Sequence, residues 1–255
     1  MSYDYGECGG PHTWVLNFPA ASGKRQSPIN LNTSAMEFDK SLRPLQIDLE
    51  GITTYSLTTK DHNFQISVQG RGILEGGPLF SKYKLMQFHF HWGTRNTWGS
   101  EHLVNGVSSP SELHCVFMNT AYETPEKAMQ MPDGLAVVGI FLHIGNQANR
   151  SLEELCWTLG SMKVGETRIL DSGFSLASLL PRDMSKYYTY PGSLTTPPCS
   201  ECVTWIVMDE IVTITKDQIN KFRQSHSKCI VCGCTDNFRP VCPAGSRPVR
   251  CSFQS

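Results

Sequence analysis

The 255-residue sequence has no long hydrophobic run and no excess of charge of either sign. Its longest apolar stretch, Leu135 to Leu142, is far shorter than the ~18–20 residues that a membrane-spanning helix needs. Lys and Arg total 22 and Asp and Glu total 23, a formal net charge of −1. Nucleic-acid-binding proteins usually carry a basic stripe or a strongly basic domain. The composition therefore argues against a nucleic-acid partner.

The start of the sequence lacks the pattern of a signal peptide. Met1 to Glu7 contains no positively charged beginning, no apolar middle and no small-residue cleavage site. This predicts a cytoplasmic protein. The alternative, a secreted protein whose signal peptide is absent from this sequence, stays open.

Several common enzyme motifs are also absent. The sequence has no G-x-S-x-G elbow, no Walker glycine loop and no H-E-x-x-H helix, so the corresponding hydrolases, nucleotidases and metalloproteases lose their main support. Segment 70–76 resembles a dinucleotide-binding glycine fingerprint, but its last spacing is one residue too long and no helical pattern follows. We therefore interpret this segment as a turn.

The patterns that are present indicate a sheet with few helices. The predicted strands are Phe64–Val68, Lys84–His91, Leu113–Asn119, Leu135–Ile144 and Val203–Val212. The predicted helices are Ser151–Leu159, opened by a Ser151-x-x-Glu154 capping box, Phe174–Leu180 and Lys216–Gln224. Because the strands are not followed by regular helices, the sequence predicts an α+β, mainly β fold with a mostly antiparallel sheet and short peripheral helices.

Two histidines alternate within the segment Gln87–Trp92. Successive side chains of a strand point to opposite faces. His89 and His91 therefore share one face, and Phe88 and Phe90 share the apolar one. For an isolated H-x-H pattern the ordinary interpretation is a pair of hydrogen-bonded core histidines.

A third histidine shifts the interpretation toward a metal site. In the strand that begins at Ser111, alternation places Glu112 and His114 on one face, and a neighbouring strand could bring that face beside the first two histidines. Three neutral imidazoles hold Zn²⁺ in a tetrahedral arrangement and leave one position for water, as in catalytic zinc sites. Gln87 and Glu112 each lie two residues from a predicted ligand and are natural acceptors for imidazole N–H groups.

Together with motifs elsewhere, this pattern resembles the α-class carbonic anhydrases. The matching segments are Arg25-Gln-Ser-Pro-Ile-Asn30, Gln87-Phe-His-Phe-His-Trp-Gly93, Gly99-Ser-Glu-His102, Ser111-Glu-Leu-His114, Pro132-Asp-Gly-Leu-Ala-Val137, Tyr190-Pro-Gly-Ser-Leu-Thr-Thr-Pro-Pro198 and Asn237-Phe-Arg-Pro240. The resemblance implies a single domain over residues 1–255, built around a large twisted sheet. It also implies a Zn²⁺ cofactor and the reversible hydration of CO2 to bicarbonate and a proton, the reaction of a carbonate dehydratase.

The resemblance implies specific catalytic roles. Zinc hydroxide would attack CO2, while Thr195 accepts the proton of the hydroxide in a hydrogen bond and donates its own to Glu101. His62 matches the position of the proton shuttle, and Tyr5 matches a tyrosine near its water chain. Lys60 and Gln65 stand where the family often has asparagine, which leaves the rate of proton transfer open.

The resemblance further implies a substrate pocket and supporting residues. The predicted pocket residues are Val116, Val137, Leu194, Thr196, Val203 and Trp205, which suit a nonpolar, linear substrate. The predicted residues around the ligands are Gln87, Glu112 and Asn237, and His102 and Tyr190 match a buried hydrogen-bonding group near Glu112. Sulfonamides or anions are expected to inhibit at the zinc, and a monomer is expected.

Half of the ten cysteines lie after residue 228, which makes segment 226–255 unusual for the resembled family. Cys229-x-x-Cys232-x-Cys234, with Cys242 and Cys251 beyond, leaves metal binding, disulfides and free thiols open, although this spacing is a weaker zinc signal than paired C-x-x-C knuckles. Secreted relatives commonly link the loop of Cys199 to a cysteine near position 21. Ala21 excludes that bridge here.

Two other functions remain as alternatives. One is a binding module of the same fold that has lost catalysis. Such proteins usually lack one of the zinc-binding histidines, whereas all three predicted ligands are present here. The other is a cupin-type oxygenase, which also uses H-x-H but needs a glutamate three or four residues after His91, where Thr94 and Arg95 stand.

Overall fold

The computed structural model describes residues 3–225 and 236–254. Its strands are β1 (Asn30–Leu31), β2 (Glu37–Phe38), β3 (Leu45–Thr59), β4 (Phe64–Gly76), β5 (Tyr83–Trp92), β6 (Leu103–Val104), β7 (Ser111–Asn119), β8 (Leu135–Ile144), β9 (Thr167–Ile169), β10 (Tyr187–Gly192), β11 (Val203–Met208), β12 (Val212–Ile214) and β13 (Arg250–Cys251). Its helices are α1 (Trp14–Asn17), α2 (Pro125–Ala128), α3 (Arg150–Leu159) and α4 (Lys216–Ser225), with 3₁₀ turns at Pro19–Ser22, Thr33–Ala35 and Leu176–Leu179.

One 11-stranded sheet organises the described chain. Its strand order is β2-β13-β10-β11-β8-β7-β5-β4-β3-β9, and β12 pairs with β8 outside this path. The pairs from β9 across to β8 are antiparallel, whereas β11 and β12 run parallel to β8. The predicted mainly β fold with a mostly antiparallel sheet and short helices is therefore confirmed.

The central strand β5 has the two faces that alternation predicts. Phe88 and Phe90 are fully buried in the larger hydrophobic cluster, on the face covered by α3 and α4. Phe90 packs against Phe64 and Phe222, with ring centroids 5.6 and 5.1 Å away. Removing a buried aromatic side chain typically costs about 3–5 kcal/mol of stability. This packing holds β5 in one register and turns His89 to the opposite face.

Several predicted boundaries are wrong, each for an identifiable reason. Segment 70–76 is not a turn but the end of β4, where Gly70 and Gly76 adopt positive φ angles of 98° and 85° and the pairing with β5 shifts register. Glycine is favoured at such irregularities because it has no Cβ. The run Val203–Val212 is split into β11 and β12, and β3 was not predicted.

The helical segments lie where the sequence predicts them, but the N-cap of one and the helix type of another differ from the prediction. The N-cap of α3 is Asn149, whose side chain accepts hydrogen bonds from the backbone N–H groups of Ser151 and Leu152. Ser151 instead donates to the carbonyl of Ser175, so the predicted capping box does not form. Phe174–Leu180 contains only the 3₁₀ turn Leu176–Leu179. Among residues 3–225 and 236–254, no helix has both the length and the apolar character of a membrane span.

Candidate metal centre

Strand pairing brings three histidines together on the face opposite Phe88. His89 on β5 lies directly across from His114 on β7, and His91 follows two residues along β5. The centroid of the His91 ring is 4.7 Å from that of His114 and 5.1 Å from that of His89. One nitrogen from each ring lies within 4.8 Å of the other two. The rings therefore converge on a single point, as the alternation of the two strands predicts.

The Nδ1 atoms of the two β5 histidines are held by oxygen acceptors. His89 Nδ1 lies 2.9 Å from Oε1 of Gln87, and His91 Nδ1 lies 2.7 Å from the backbone carbonyl oxygen of Asn237. A hydrogen bond to such an acceptor keeps the proton on Nδ1 and leaves Nε2 with a free lone pair. Nε2 of His91 is buried and has no hydrogen-bond partner within the described residues. A buried nitrogen of this kind fits a metal ion.

His114 uses its nitrogens in the opposite way. Its Nε2 lies 2.8 Å from Oε1 of Glu112, which leaves Nδ1 for the metal. The ligand set is therefore two Nε2 atoms and one Nδ1 atom. Such a set of neutral imidazoles suits Zn²⁺.

Burial keeps all three imidazoles neutral. It lowers the pKa of His91 to about 4, lowers the pKa of His89 well below its ordinary value and lowers the pKa of His114. The positive charge that the neighbouring imidazoles would carry adds to the shift at His89 and His114. Because only an unprotonated imidazole binds a metal ion, this burial prepares the three rings for metal binding at neutral pH.

Glu112 is the centre of a buried hydrogen-bond network. Its Oε2 accepts hydrogen bonds from the backbone N–H groups of Glu101 and His102, at 2.9 and 2.8 Å. Its Oε1 lies 2.7 Å from Nδ1 of His102 as well as close to His114. Burial by itself would raise the pKa of Glu112, but the charges and hydrogen bonds of the two histidines hold it well below its ordinary value. Glu112 therefore stays a carboxylate and fixes the orientation of His114.

The network continues to the predicted group at Tyr190. The hydroxyl of Tyr190 lies 2.7 Å from Nε2 of His102 and 2.9 Å from the hydroxyl of Ser27. All three side chains are buried.

Glu101 lies between the histidines and Thr195. Its Oε1 accepts a hydrogen bond from the backbone N–H of Arg239 at 2.8 Å, and its Oε2 is 3.4 Å from Nε2 of His91. Burial raises the pKa of Glu101 to about 7, against the opposing effects of the His114 charge, the Arg239 N–H and the nearby Thr195 hydroxyl. Thr195 is itself buried, so the two predicted partners are brought together beside the metal ligands.

The predicted substrate residues form a continuous apolar wall next to His114. Val116, Val137, Val203 and Trp205 belong to one buried cluster, and Leu194 packs against it. The Trp205 ring meets the His114 ring edge to face at 4.8 Å, and its indole N–H donates to the carbonyl of Ser193. Thr196 lies beside the Tyr3 hydroxyl, where it opposes the rise that burial causes in the pKa of Tyr3.

A cavity of about 510 Å³ at the predicted shuttle position is lined by Tyr3, Tyr5, Lys60 and His62 among others. The ring centroids of Tyr5 and His62 are 6.1 Å apart. The side-chain N–H of Asn237 donates to the His62 carbonyl at 3.0 Å, while Oδ1 of Asn237 accepts from the backbone N–H of Trp92. Asn237 therefore connects the shuttle loop to the end of β5.

Sequence reasoning missed two backbone contributions to this centre. The carbonyl of Asn237 holds His91, and the N–H of Arg239 holds Glu101. Both residues lie in the quoted segment Asn237-Phe-Arg-Pro240. The sequence predicted Asn237 beside the ligands but not that its backbone carbonyl makes the contact, because a backbone contact sets no requirement on residue type.

Comparison with known proteins decides the family. The family described as "Eukaryotic-type carbonic anhydrase" matches residues 9–253. The chain belongs to this family. It is 42% identical over 260 residues to carbonic anhydrase 7 of Mus musculus and, equally, to carbonic anhydrase 7 of Homo sapiens. Each alignment covers 99% of this chain and 98% of the relative.

Membership confirms the predicted family, fold, reaction and cofactor. Carbonic anhydrases are zinc enzymes that hydrate CO2 reversibly, and the triad of His89, His91 and His114 is positioned to bind the metal. The chain is accordingly a zinc lyase that acts on a small-molecule substrate. The cupin alternative is wrong.

The cysteines differ from those of a disulfide-linked carbonic anhydrase. Cys199 is buried and unpaired, in agreement with the effect expected of Ala21, and each of the seven cysteines in the described part of the chain is a free thiol. Cys242 and Cys251 are half-buried thiols. Cys229, Cys232 and Cys234 lie outside the described residues.

Proposed function

We propose that this carbonic anhydrase binds Zn²⁺ through His89, His91 and His114 and uses Thr195, Glu101, His62 and Tyr5 in the hydration of CO2. The observation that supports the site most directly is the buried Nε2 of His91, which has no hydrogen-bond partner within the described residues and faces the free nitrogens of the other two rings. When bound there, zinc lowers the pKa of a coordinated water to about 7, the value known for carbonic anhydrases, and so supplies a nucleophile at neutral pH.

The neighbouring residues orient the reactants. Thr195 is buried close enough to Glu101 to lower the pKa of that carboxyl, so its hydroxyl is placed to donate a hydrogen bond to Glu101 and to accept one from the nucleophile, which would hold the nucleophile's lone pair toward the substrate. Val116, Val137, Leu194, Val203 and Trp205 provide an apolar wall for linear, nonpolar CO2, with Thr196 beside them. Gln87, Glu112 and Asn237 hold the ligand rings in place.

Proton removal is assigned to His62. An imidazole at a cavity mouth suits this role because its ordinary pKa lies near neutrality. Tyr5 acts differently: burial raises its pKa well above the ordinary value, so it stays a neutral phenol and serves as a hydrogen-bonding group. Its position beside His62 suits it to hold water next to the imidazole.

Stopped-flow CO2 hydration tests the proposed function. We expect activity that is lost when a chelator removes zinc, returns when zinc is added and is inhibited by sulfonamides or anions. His91→Asn should lose both zinc and activity, whereas His12→Asn, a change at an exposed histidine, should keep both. Zinc-independent activity would reject the proposed metal site, and no activity in the zinc-loaded protein would reject the proposed function and favour the binding-module alternative.

We also propose that residues 1–255 form one domain and act as a cytoplasmic monomer. Free thiols at the described cysteines suit a reducing compartment. The edge strands β2 and β9 have two and three residues, which discourages pairing between copies. For the cysteine-rich segment 226–255 we expect no second metal site. Equal zinc content in the wild type and in a Cys229→Ser, Cys232→Ser, Cys234→Ser variant would support this.

A further inference from the structure

Lys60 places a positive charge beside the metal centre without a carboxylate partner. Its ammonium donates to Oε1 of Gln65 at 2.7 Å, and within the described residues no Asp or Glu oxygen lies within 4.0 Å of it. Partial desolvation lowers the pKa of Lys60 from its ordinary value, although the side chain is exposed by surface area. Lys60 therefore contributes an ammonium group to the cavity that Tyr5 and His62 also line, and this group is partly desolvated and partly open to solvent.

Strand pairing fixes where this charge lies. Gln65 on β4 is directly opposite His89 on β5, and Ser67 is directly opposite Gln87. Residues paired in this way have Cβ atoms about 4.5–5.5 Å apart on the same face. Since the amide N–H of Gln65 donates to Ser67 at 3.2 Å, its carbonyl oxygen is directed to Lys60. Lys60 is therefore anchored one side chain away from a zinc ligand.

We propose that Lys60 is an anion-binding residue beside the metal centre and attracts bicarbonate and other small monovalent anions into the cavity that it lines with Tyr5 and His62. An ammonium has three N–H donors, and Gln65 uses one. Neutral CO2 gains nothing from this charge, whereas the anionic product does. Asp61 lines the same cavity but forms no ion pair with Lys60 within 4.0 Å, so it leaves the Lys60 donors available. The inference rests on the proposed function for its choice of physiological anion.

Inhibition of CO2 hydration by iodide tests the inference. We expect Lys60→Met to raise the inhibition constant about twofold to fivefold, the effect of an exposed charge pair. Lys60→Arg, which keeps the charge, should remain close to the wild type. Lys216→Met is the matched control, since Lys216 is exposed on α4, whose Ile219 and Phe222 pack on the other face of the sheet. Equal inhibition constants in Lys60→Met and the wild type would overturn the inference.

A second measurement does not depend on catalysis. We expect chloride to bind to the metal-free wild type and broaden the chloride NMR line, and Lys60→Met to reduce this broadening relative to both the wild type and Lys216→Met. If the wild type failed to hydrate CO2 but this difference appeared, the proposed function would fail and the anion site would stand. If hydration were normal and neither readout changed, only the anion site would fail.

Discussion

Oε1 of Glu112 accepts a hydrogen bond from Nε2 of His114 at a distance of 2.8 Å. The two residues lie on the same strand, two positions apart, in a region that water does not reach. This contact makes His114 present Nδ1 to the metal, whereas His89 and His91 present Nε2. The orientation of one ligand thus depends on the charge state of a buried carboxylate.

Glu112→Gln should weaken zinc binding about 10-fold to 100-fold, the usual effect of losing a group that orients a ligand. The glutamine side chain would replace one of the two carboxylate oxygens with an NH2 group. Both oxygens accept hydrogen bonds from buried N–H groups, so some of these donors would lose their acceptor. We expect the free energy of unfolding to fall by about 2–4 kcal/mol. Metal competition with a chelator and urea titration measure the two effects. Glu50→Gln, at an exposed position on β3, is the control and should change neither.

Glu101 should make the metal-free protein less stable as pH rises. Its pKa is raised from 4.5 to about 7 in the fold, so the native state holds a proton that the unfolded state has released. The stability from this group is complete below pH 4.5 and is lost as pH rises through about 7. Glu101→Gln removes the effect. The variant should therefore gain stability relative to the wild type by about 1 kcal/mol per pH unit within that window.

Urea titrations of both metal-free proteins at several pH values across this window measure the difference. Glu50→Gln should follow the pH dependence of the wild type. The prediction is wrong if the Glu101→Gln and wild-type curves stay parallel. The opposite shift at His91, whose pKa is lowered to about 4, affects both proteins and cancels in the comparison.

His62→Ala should slow proton transfer without disturbing the metal centre. General acid–base groups typically contribute at least about 100-fold to a rate, so kcat should fall by about tenfold or more even if water partly replaces the imidazole. kcat/KM for CO2 should stay within about twofold, because the apolar wall and zinc ligands are unchanged. Imidazole added as buffer should restore kcat. His12→Ala is the control, and an unchanged kcat in His62→Ala would show that another path carries the proton.

Exposed cysteines should be alkylated faster than buried ones. Cys8 is exposed, whereas Cys115 and Cys156 are buried, and burial raises the pKa of the Cys156 thiol to about 12. Since the thiolate is the reactive form, Cys8 should react with iodoacetamide at pH 8 while the other two do not until urea unfolds the chain. Peptide mass spectrometry locates the label. Rapid labelling of Cys115 in the native protein would contradict the packing.

Local sequence patterns located the strands at the centre of the sheet, because Gln87–Trp92 alternates phenylalanine with histidine and the fully buried Leu135–Leu142 is a continuous apolar run. Leu135–Ile144 was predicted with its observed boundaries, and Lys84–His91 differs from β5 by one residue at each end. Strand β3 was not recognised, since its exposed and half-buried residues show no clear two-residue repeat. The misplaced cap of α3 has a similar cause: Asn149 and Ser151 are both suitable capping residues, and packing of Ser151 against Ser175 decided between them.

By itself, the sequence determined the chemistry: two strands with imidazoles on one face, a set of carbonic anhydrase motifs and no cysteine at position 21. These are local properties, because they can be identified from the types of neighbouring side chains and from a two-residue repeat. Only the tertiary structure decided that His114 stands opposite His89, that the Asn237 carbonyl holds His91 and that Lys60 is tied to Gln65 across from a ligand. Such contacts depend on strand register and on backbone atoms from distant segments, which no local pattern of side chains records.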